Sequence, residues 1–141
     1  MEEMKIMLVD DEEGFLLTTQ KLLLRKGIRV TTATSGAEAL EKLMQETIHV
    51  VVLDVKMPGM DGVTALKAIK SRFPQVEVIM FTGHASVDSA VSGLMSGATD
   101  YLTKPLDIEE LVAKVQEAFA RGRYPEEKRG GPGRDGSSER G

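Results

Sequence analysis

Apolar and polar positions follow two different periods along most of the chain. The run Val50-Val51-Val52-Leu53 has no polar break, which is typical of a strand buried on both faces of a parallel sheet. Further short apolar runs predict strands over residues 5–9, 28–33, 76–81 and 99–103. The second of these strands is rich in threonine, which suits a sheet edge.

The segments between the strands place apolar residues three and four positions apart, as amphipathic helices do. They predict helices over about residues 12–26, 35–46, 61–73, 86–96 and 107–120. Gly27 is a typical helix stop, and Ser35 with Glu38 predicts a capping box. Asp107 with Glu110 predicts a second cap. Five strands alternating with five helices predict an α/β fold with a doubly wound parallel sheet and helices on both faces.

The predicted helix 86–96 has the weakest helical composition of the five. It contains four serines and a central glycine, Gly93, all of which are poorer helix formers than alanine or leucine. We therefore expect packing to hold this helix and its stability to be the lowest of the five. Elements that move usually come from the low-stability end of a structure, so this helix is the candidate moving part.

Composition is that of an ordinary soluble domain, with 41% hydrophobic and 28% charged residues. The sequence contains no cysteine, which excludes disulfide bonds and cysteine-based zinc sites and fits a reducing compartment. No apolar run approaches the length of a membrane span. The acidic amino terminus leads straight into a strand and does not resemble a secretory signal, so we expect a cytoplasmic protein.

The composition changes abruptly after Ala120. Residues 121–141 carry six basic and four acidic side chains, a net charge of +2, whereas the rest of the chain carries −6. This segment is rich in glycine and has too few apolar residues to order itself. We predict one folded domain over residues 1–121 and a disordered tail over residues 122–141. The acidic domain argues against nucleic acid as a direct ligand.

Polar residues follow four of the predicted strands at their carboxyl ends, which converge on one crevice in a doubly wound sheet. These residues are Asp10 and Asp11, Asp54, Thr82 and Lys104. Two carboxylates about 4 Å apart repel by roughly 4 kcal/mol at an intermediate dielectric, which favours a bound hard cation such as Mg²⁺. With a lysine and a hydroxyl for phosphoryl oxygens, the cluster predicts a phosphoryl-transfer site. Taken singly, Asp54 is equally consistent with capping the loop or the next helix. For Asp10 and Asp11 taken singly, capping of helix 12–26 is favoured over metal binding.

Four segments that carry these residues resemble the receiver domain of two-component response regulators. They read VDDE at 9–12, LDVKMPGMDG at 53–62, FTGH at 81–84 and DYLTKP at 100–105. The resemblance covers about residues 4–120, and the wording is most similar to receivers of nitrogen-regulation and nitrogen-fixation regulators. It implies a flavodoxin-like sheet with strand order 2-1-3-4-5, as in chemotaxis regulators.

The resemblance implies a role for each residue at the strand ends. Asp54 would accept a phosphoryl group from a phosphohistidine. Asp11, Asp54 and the backbone carbonyl of Lys56 would bind Mg²⁺ or Mn²⁺, with Asp10 acting mostly through water. Lys104 would pair with Asp54 and then with the phosphoryl group. The domain would catalyse its own phosphorylation and dephosphorylation without being a turnover enzyme.

The resemblance also implies a switch and two classes of partner. Thr82 and Tyr101 would be the switch residues, and the Lys104–Pro105 peptide bond would be cis. A sensor histidine kinase or histidine phosphotransfer protein would supply the phosphoryl group, and no nucleic acid or membrane would be contacted. An output domain or protein would read the surface formed by helix 86–96, strand 99–103 and helix 107–120.

Other functions fit the sequence less well. A phosphatase with an aspartyl-phosphate intermediate needs a general acid two residues after its nucleophile, and Lys56 is unsuited to that task. No G-x-G-x-x-G motif or P-loop follows the first strand, which argues against nucleotide binding. The intact set of five strand-end residues argues against a degenerate receiver that only binds proteins.

Some questions stay open at this point. His49, at the start of a strand, is expected to be structural, whereas His84 is equally consistent with a role in phosphate access and with a solvated loop position. No output domain is recognised after Ala120, so the chain is either a stand-alone regulator or part of a longer protein. The cognate kinase, the oligomeric state and the lifetime of the phosphoryl group are not determined by the sequence.

Overall fold

The computed structural model describes residues 3–57, 59–83 and 93–123. Its elements in chain order are β1 (Lys5–Val9), α1 (Glu13–Arg25), β2 (Arg29–Ala33), α2 (Gly36–Gln45), β3 (Val50–Asp54), α3 (Gly62–Arg72), β4 (Glu77–Thr82), the last residues of α4 (93–95), β5 (Asp100–Thr103) and α5 (Ile108–Arg123). Residues 86–92 of the predicted helix lie outside the described residues, and residue 96, its predicted last residue, lies in the turn that follows.

The strands form a single parallel sheet with the order β2-β1-β3-β4-β5. This arrangement confirms the predicted fold class and strand order. The central strand β3 pairs with β1 and β4, and all five of its residues are buried. Helices cover both faces of the sheet, so side chains on both sides of β3 are buried. This burial explains why the apolar run is uninterrupted.

Two apolar layers lie on opposite faces of the sheet. One packs against α2 and α3 and includes alternate residues of β1 and β3, namely Met7, Val9, Val51 and Leu53. The other packs against α1 and α5 and includes the intervening residues Ile6, Leu8, Val50 and Val52. Because side chains alternate along a strand, this register also decides which face receives the residues that follow each strand.

The ends of α1 and α2 carry the predicted local signals, and the cap of α2 departs from the prediction in one respect. Gly27 has a φ of 81°, the left-handed conformation that glycine adopts after a helix. The Ser35 hydroxyl accepts a hydrogen bond from the Glu38 N–H at 3.1 Å, as predicted. The Glu38 carboxylate, however, accepts from the N–H and hydroxyl of Thr34 rather than from the Ser35 N–H. Only half of the predicted capping box therefore forms, because the side chain reaches one residue further back.

The last helix begins as predicted and ends later. The Asp107 carboxylate accepts hydrogen bonds from the N–H groups of Glu109 and Glu110, which caps α5. The helix continues to Arg123, three residues beyond the predicted end, and residues 124–141 of the predicted tail lie outside the described residues. Among the helices of the described residues, none has the length and apolar character that a membrane span requires.

His49 has surroundings that fit the predicted structural role. Its Nδ1 accepts a hydrogen bond from the backbone N–H of Lys5 at 3.0 Å, and its ring meets the ring of Phe119 edge-on at 5.0 Å between centroids. It thereby links β1, the start of β3 and α5 at the amino ends of the strands, away from the strand-end residues described next.

Candidate functional site

The predicted strand-end residues meet at one edge of the sheet. Asp54 is the last residue of β3 and continues the side that faces α1 and α5. Asp10 follows β1, and its N–H extends the sheet by donating to the Ala33 carbonyl at 3.1 Å. Lys104 follows β5, and its N–H donates to the Thr82 carbonyl at 2.8 Å. Backbone pairing thus continues one residue past the strands and fixes where these side chains start.

Three carboxylates form a compact cluster. Asp10, Asp11 and Asp54 each offer one oxygen to a group whose members all lie within 4.8 Å of one another. Asp10 and Asp54 are only 2% and 4% exposed, whereas Asp11 is exposed. The N–H of Glu12 donates to Asp10 Oδ1 at 3.0 Å, and the N–H of Lys56 donates to Asp54 Oδ1 at 3.4 Å. These hydrogen bonds compensate only part of the buried negative charge.

One lysine ammonium lies close to two of the three carboxylates. Lys104 Nζ lies 3.6 Å from Asp54 Oδ1 and 3.7 Å from Asp10 Oδ2. The family resemblance implies the pairing of Lys104 with Asp54, whereas the nearly equal distance to Asp10 is not predicted. One positive charge among three carboxylates leaves the cluster with an excess of negative charge. The Lys104–Pro105 peptide bond is cis.

Burial and mutual repulsion change the acidity of the two buried carboxyl groups. Removal from water raises the pKa of Asp54 to about 6, and the neighbouring charge of Asp10 adds to this effect. Lys104 and the N–H of Lys56 act in the opposite direction with smaller effects. Burial likewise raises the pKa of Asp10 above its ordinary value. The folded state therefore disfavours the carboxylate form of both groups until a cation compensates it.

The donor set and its unsatisfied atom fit a hard divalent cation. Asp10 Oδ2 is buried and has no hydrogen-bond partner among the described residues. Asp11, Asp54 and Lys56 line an open crevice of about 330 Å³, which leaves room for an ion with its waters. Mg²⁺ prefers oxygen ligands and usually keeps several waters while taking few carboxylates. Asp10, Asp11 and Asp54 are the residues that would hold it.

The two predicted switch residues lie in different environments. Thr82 is 1% exposed, lines the crevice, and its hydroxyl donates to the Gly83 carbonyl at 3.0 Å. Tyr101 is 39% exposed on the edge strand β5. Only Thr82 therefore belongs to the crevice in this structure. His84, the residue with the open assignment, lies outside the described residues.

Two features of the site escaped the sequence interpretation. A Cβ on Gly62 would lie 2.5 Å from the Asp54 carbonyl oxygen, so only glycine fits behind the phosphoacceptor candidate. The rings of Phe15 and Phe81 stack with centroids 5.5 Å apart beneath the Lys104 ammonium. Strand alternation places Phe81 on the same side as Ile79 in the α1–α5 layer, a signal that was available in the sequence.

A larger groove of about 780 Å³ lies at the opposite end of the sheet. Its lining comes from the end of α2, the residues before β3 and β4, and the last turns of α5, including Ile48, Val76 and Gly122. None of the three clustered carboxylates lines it. Volume alone is therefore a poor guide here, because the candidate chemical groups line the smaller crevice.

Comparison with known proteins identifies close relatives. Residues 6–116 match the family model of the response regulator receiver domain. The DNA-binding transcriptional regulator NtrC of Escherichia coli K12 is 44% identical over 115 residues, which cover 82% of this chain and 24% of that protein. The chain thus spans about a quarter of the length of this curated relative.

Solved structures give the same result for the fold. A response regulator receiver domain protein from Clostridium thermocellum superposes with a TM-score of 0.82 at 35% identity, covering 86% of this chain and 98% of that one. The beryllofluoride-activated NtrC4 receiver domain dimer superposes with a TM-score of 0.77 at 36% identity, covering 84% and 98%. The likeness extends over nearly the whole of both solved domains.

Proposed function

Since this chain belongs to the response regulator receiver family, we propose that Asp54 accepts a phosphoryl group from a phosphohistidine of a partner kinase or phosphotransfer protein, in a reaction that requires Mg²⁺. The observation that carries the proposal is the buried Asp54 carboxylate at a strand end, facing two further aspartates and one lysine across an open crevice. Phosphoryl acceptance is the general activity of the family.

The proposed chemistry is an in-line displacement at phosphorus. An Asp54 oxygen forms a bond to phosphorus while the phosphorus–nitrogen bond to the imidazole breaks and its electron pair stays on the ring nitrogen. The product is an acyl phosphate on Asp54 and a free histidine. Attack requires the carboxylate form, which burial disfavours in the metal-free protein. Bound Mg²⁺ supplies positive charge that compensates the carboxylates and the transferring oxygens.

The neighbouring side chains supply positioning and charge. Lys104 Nζ lies 3.6 Å from Asp54 Oδ1, so it is placed to follow the carboxylate charge onto the phosphoryl oxygens. The Thr82 hydroxyl lines the same crevice and donates a hydrogen bond to the Gly83 carbonyl. A phosphoryl oxygen on Asp54 can take the place of this carbonyl as the acceptor. We assign the chain as a phosphoacceptor rather than a turnover enzyme, because its own aspartate ends the reaction modified.

Phosphotransfer tests this proposal. Purified sensor kinases carrying a labelled phosphohistidine are mixed with the chain in Mg²⁺, and label transferred to the chain is counted. We expect at least one kinase to label the parent and the Asp100→Asn control but not Asp54→Asn. Asp100 is a matched control because it begins the edge strand β5, at the opposite end from Lys104, and its carboxylate pairs with Lys114 of α5. Equal labelling of Asp54→Asn and the parent would contradict the assignment.

We further propose that phosphorylation is transmitted through Thr82 and Tyr101 to the surface of α4, β5 and α5, which an output domain or protein reads. Described residues of this surface include three exposed apolar side chains, Leu94, Met95 and Tyr101. Thr82 and Tyr101 lie on neighbouring strands, β4 and β5, so a shift of the hydroxyl toward a phosphoryl group opens space beside the tyrosine.

Binding of beryllofluoride at Asp54 is expected to reduce the exposure of the Tyr101 ring, which is 39% without it. The ring moves inward once the Thr82 hydroxyl turns toward the bound group. Line broadening of the Tyr101 ring signals by a soluble paramagnetic probe measures the change, and Thr82→Ala is expected to weaken it. Unchanged broadening in the parent with beryllofluoride bound would exclude Tyr101 as a switch residue.

A further inference from the structure

We propose that Phe15 and Phe81 form an aromatic support that positions the Lys104 ammonium between Asp10 and Asp54. The support consists of the two stacked rings and acts through Lys104, so both phenylalanines are positioning residues. The inference deepens the proposed function, because Lys104 is the cation that follows the charge onto the phosphoryl group.

The geometry of the support is that of a cation above aromatic faces. The two rings lie 5.5 Å apart between centroids with an interplanar angle of 20°. Lys104 Nζ lies over both, 5.3 Å from the Phe81 centroid and 5.9 Å from the Phe15 centroid. A lysine ammonium within about 6 Å of a ring centroid is attracted by the negative face of the ring.

The carboxylates alone hold the ammonium loosely. Its distances of 3.6 Å and 3.7 Å to Asp54 and Asp10 exceed the roughly 2.7–2.9 Å of a charge-assisted hydrogen bond. Lysine has a flexible stem with many rotamers, and the Lys104 side chain is 34% exposed on the solvent side of the crevice. A second restraint from below is therefore needed to keep the ammonium over the gap between the two carboxylates.

The rings themselves are fixed by the core. Phe81 is 2% exposed on β4 within the α1–α5 layer, and Phe15 of α1 packs against the same layer. Both rings border a small space of about 10 Å³ whose lining also includes Leu8 and Val52 of this layer. An aliphatic side chain would fill the same place but would offer no negative face to the ammonium. Replacing a ring by an aliphatic side chain therefore distinguishes a positioning role from simple packing.

Spectroscopy tests the support without any phosphorylation. In the metal-free parent, the Lys104 ε-methylene protons are expected at high field because the ammonium that they carry lies over two ring faces. Phe15→Leu is expected to return them toward the position of an exposed lysine. Phe15→Tyr is expected to preserve the shift, because tyrosine keeps the aromatic ring and Phe15 is only partly buried. Identical Lys104 signals in parent and Phe15→Leu would overturn the inference.

Kinetics give the second readout. Trifluorophenylalanine at position 81 keeps the approximate size of the ring but removes its negative face, so it tests the cation–π contact without leaving a cavity in the core. We expect the maximal phosphorylation rate with phosphoramidate to fall about two- to fivefold, the ratio that corresponds to one exposed cation–π contact, with little change in the half-saturating donor concentration. The control is the same substitution at position 73, because Phe73 lies outside the crevice, and it is expected to leave the rate unchanged.

The two readouts separate this inference from the proposed function. High-field Lys104 signals that depend on Phe15, in a parent that accepts no phosphoryl group, would support the aromatic support and contradict the phosphoacceptor role. Normal phosphorylation of the parent with unchanged rates in the position-81 variant would contradict the support and leave the phosphoacceptor role intact.

Discussion

Replacement of Asp54 by asparagine is expected to stabilise the metal-free protein by on the order of 3 kcal/mol above pH 7, while it removes phosphoryl acceptance. Burial and the charge of Asp10 raise the pKa of Asp54 to about 6 in the folded protein, against an ordinary value of 3.8. Asparagine has nearly the same shape and can still accept from the Lys56 N–H. The substitution therefore removes the unfavourable charge with little change in packing.

The sign of the pH dependence follows from the raised pKa. Below about pH 4 the carboxyl group is protonated in both states and costs the folded protein nothing. Between about pH 4 and 6 the unfolded chain ionises first, so the free energy of unfolding of the parent falls, and above pH 6 the loss is complete. Asp54→Asn lacks this loss but keeps the decline due to Asp10, whose pKa is also raised.

Urea unfolding in the presence of a chelator, from pH 4 to 7.5, measures the difference. The curves of parent and Asp54→Asn are expected to converge near pH 4 and to separate as the pH rises. Addition of Mg²⁺ at about 100 times its Kd is expected to return about 2.7 kcal/mol to the parent and distinctly less to the variant, which lacks one charged ligand. A pH-independent difference, or an Asp54→Asn protein less stable than the parent, would contradict a crowded acidic crevice.

Gly62→Ala is expected to destabilise the protein by about 3 kcal/mol. The added Cβ would lie 2.5 Å from the Asp54 carbonyl oxygen and 2.6 Å from Val55 Cα. Both are backbone atoms of the central strand and the loop after it, so neither can turn aside as a flexible side chain would. The Gly62 N–H also donates to the Val55 carbonyl at 2.8 Å, so relief by moving α3 away would break this hydrogen bond.

Gly14→Ala is the matched control for this substitution. Gly14 lies in the first turn of α1, and a Cβ there meets no atom within 4 Å. Alanine is expected to stabilise the protein by up to about 1 kcal/mol because it favours the helix over the unfolded chain. Chemical denaturation of both variants measures the contrast. Equal effects of the two substitutions would show that the close approach at Gly62 is relieved at little cost.

The sequence predicts the sheet well because strand signals here are local. The bounds of β1 and β3 are as predicted, since uninterrupted apolar runs can only be accommodated between two layers of helices. The predicted end of α5 is wrong, because Gly122 in the sequence indicates the start of a glycine-rich tail. In the structure a Cβ at Gly122 would lie 3.3 Å from Glu77 Cγ, so glycine suits a helix turn that passes close to β4.

The sequence predicts which residues form the site but not the contacts between their side chains. Strand ends bring Asp10, Asp54 and Lys104 together, and a sequence can show that much. Which carboxylate the ammonium contacts depends on rotamers fixed by tertiary packing, so its equal share of Asp10 could not be predicted. The support by Phe15 and Phe81 depends likewise on how α1 packs across the sheet.

The most direct test of the phosphoacceptor role is the intact mass of the chain after incubation with acetyl phosphate or phosphoramidate. With Mg²⁺, the parent is expected to gain a single phosphoryl group, which peptide mapping places on Asp54, and a chelator is expected to prevent the gain. Asp54→Ala is expected to stay unmodified under the same conditions. A phosphoryl group gained by Asp54→Ala to the same extent as by the parent would contradict the central role assigned to Asp54.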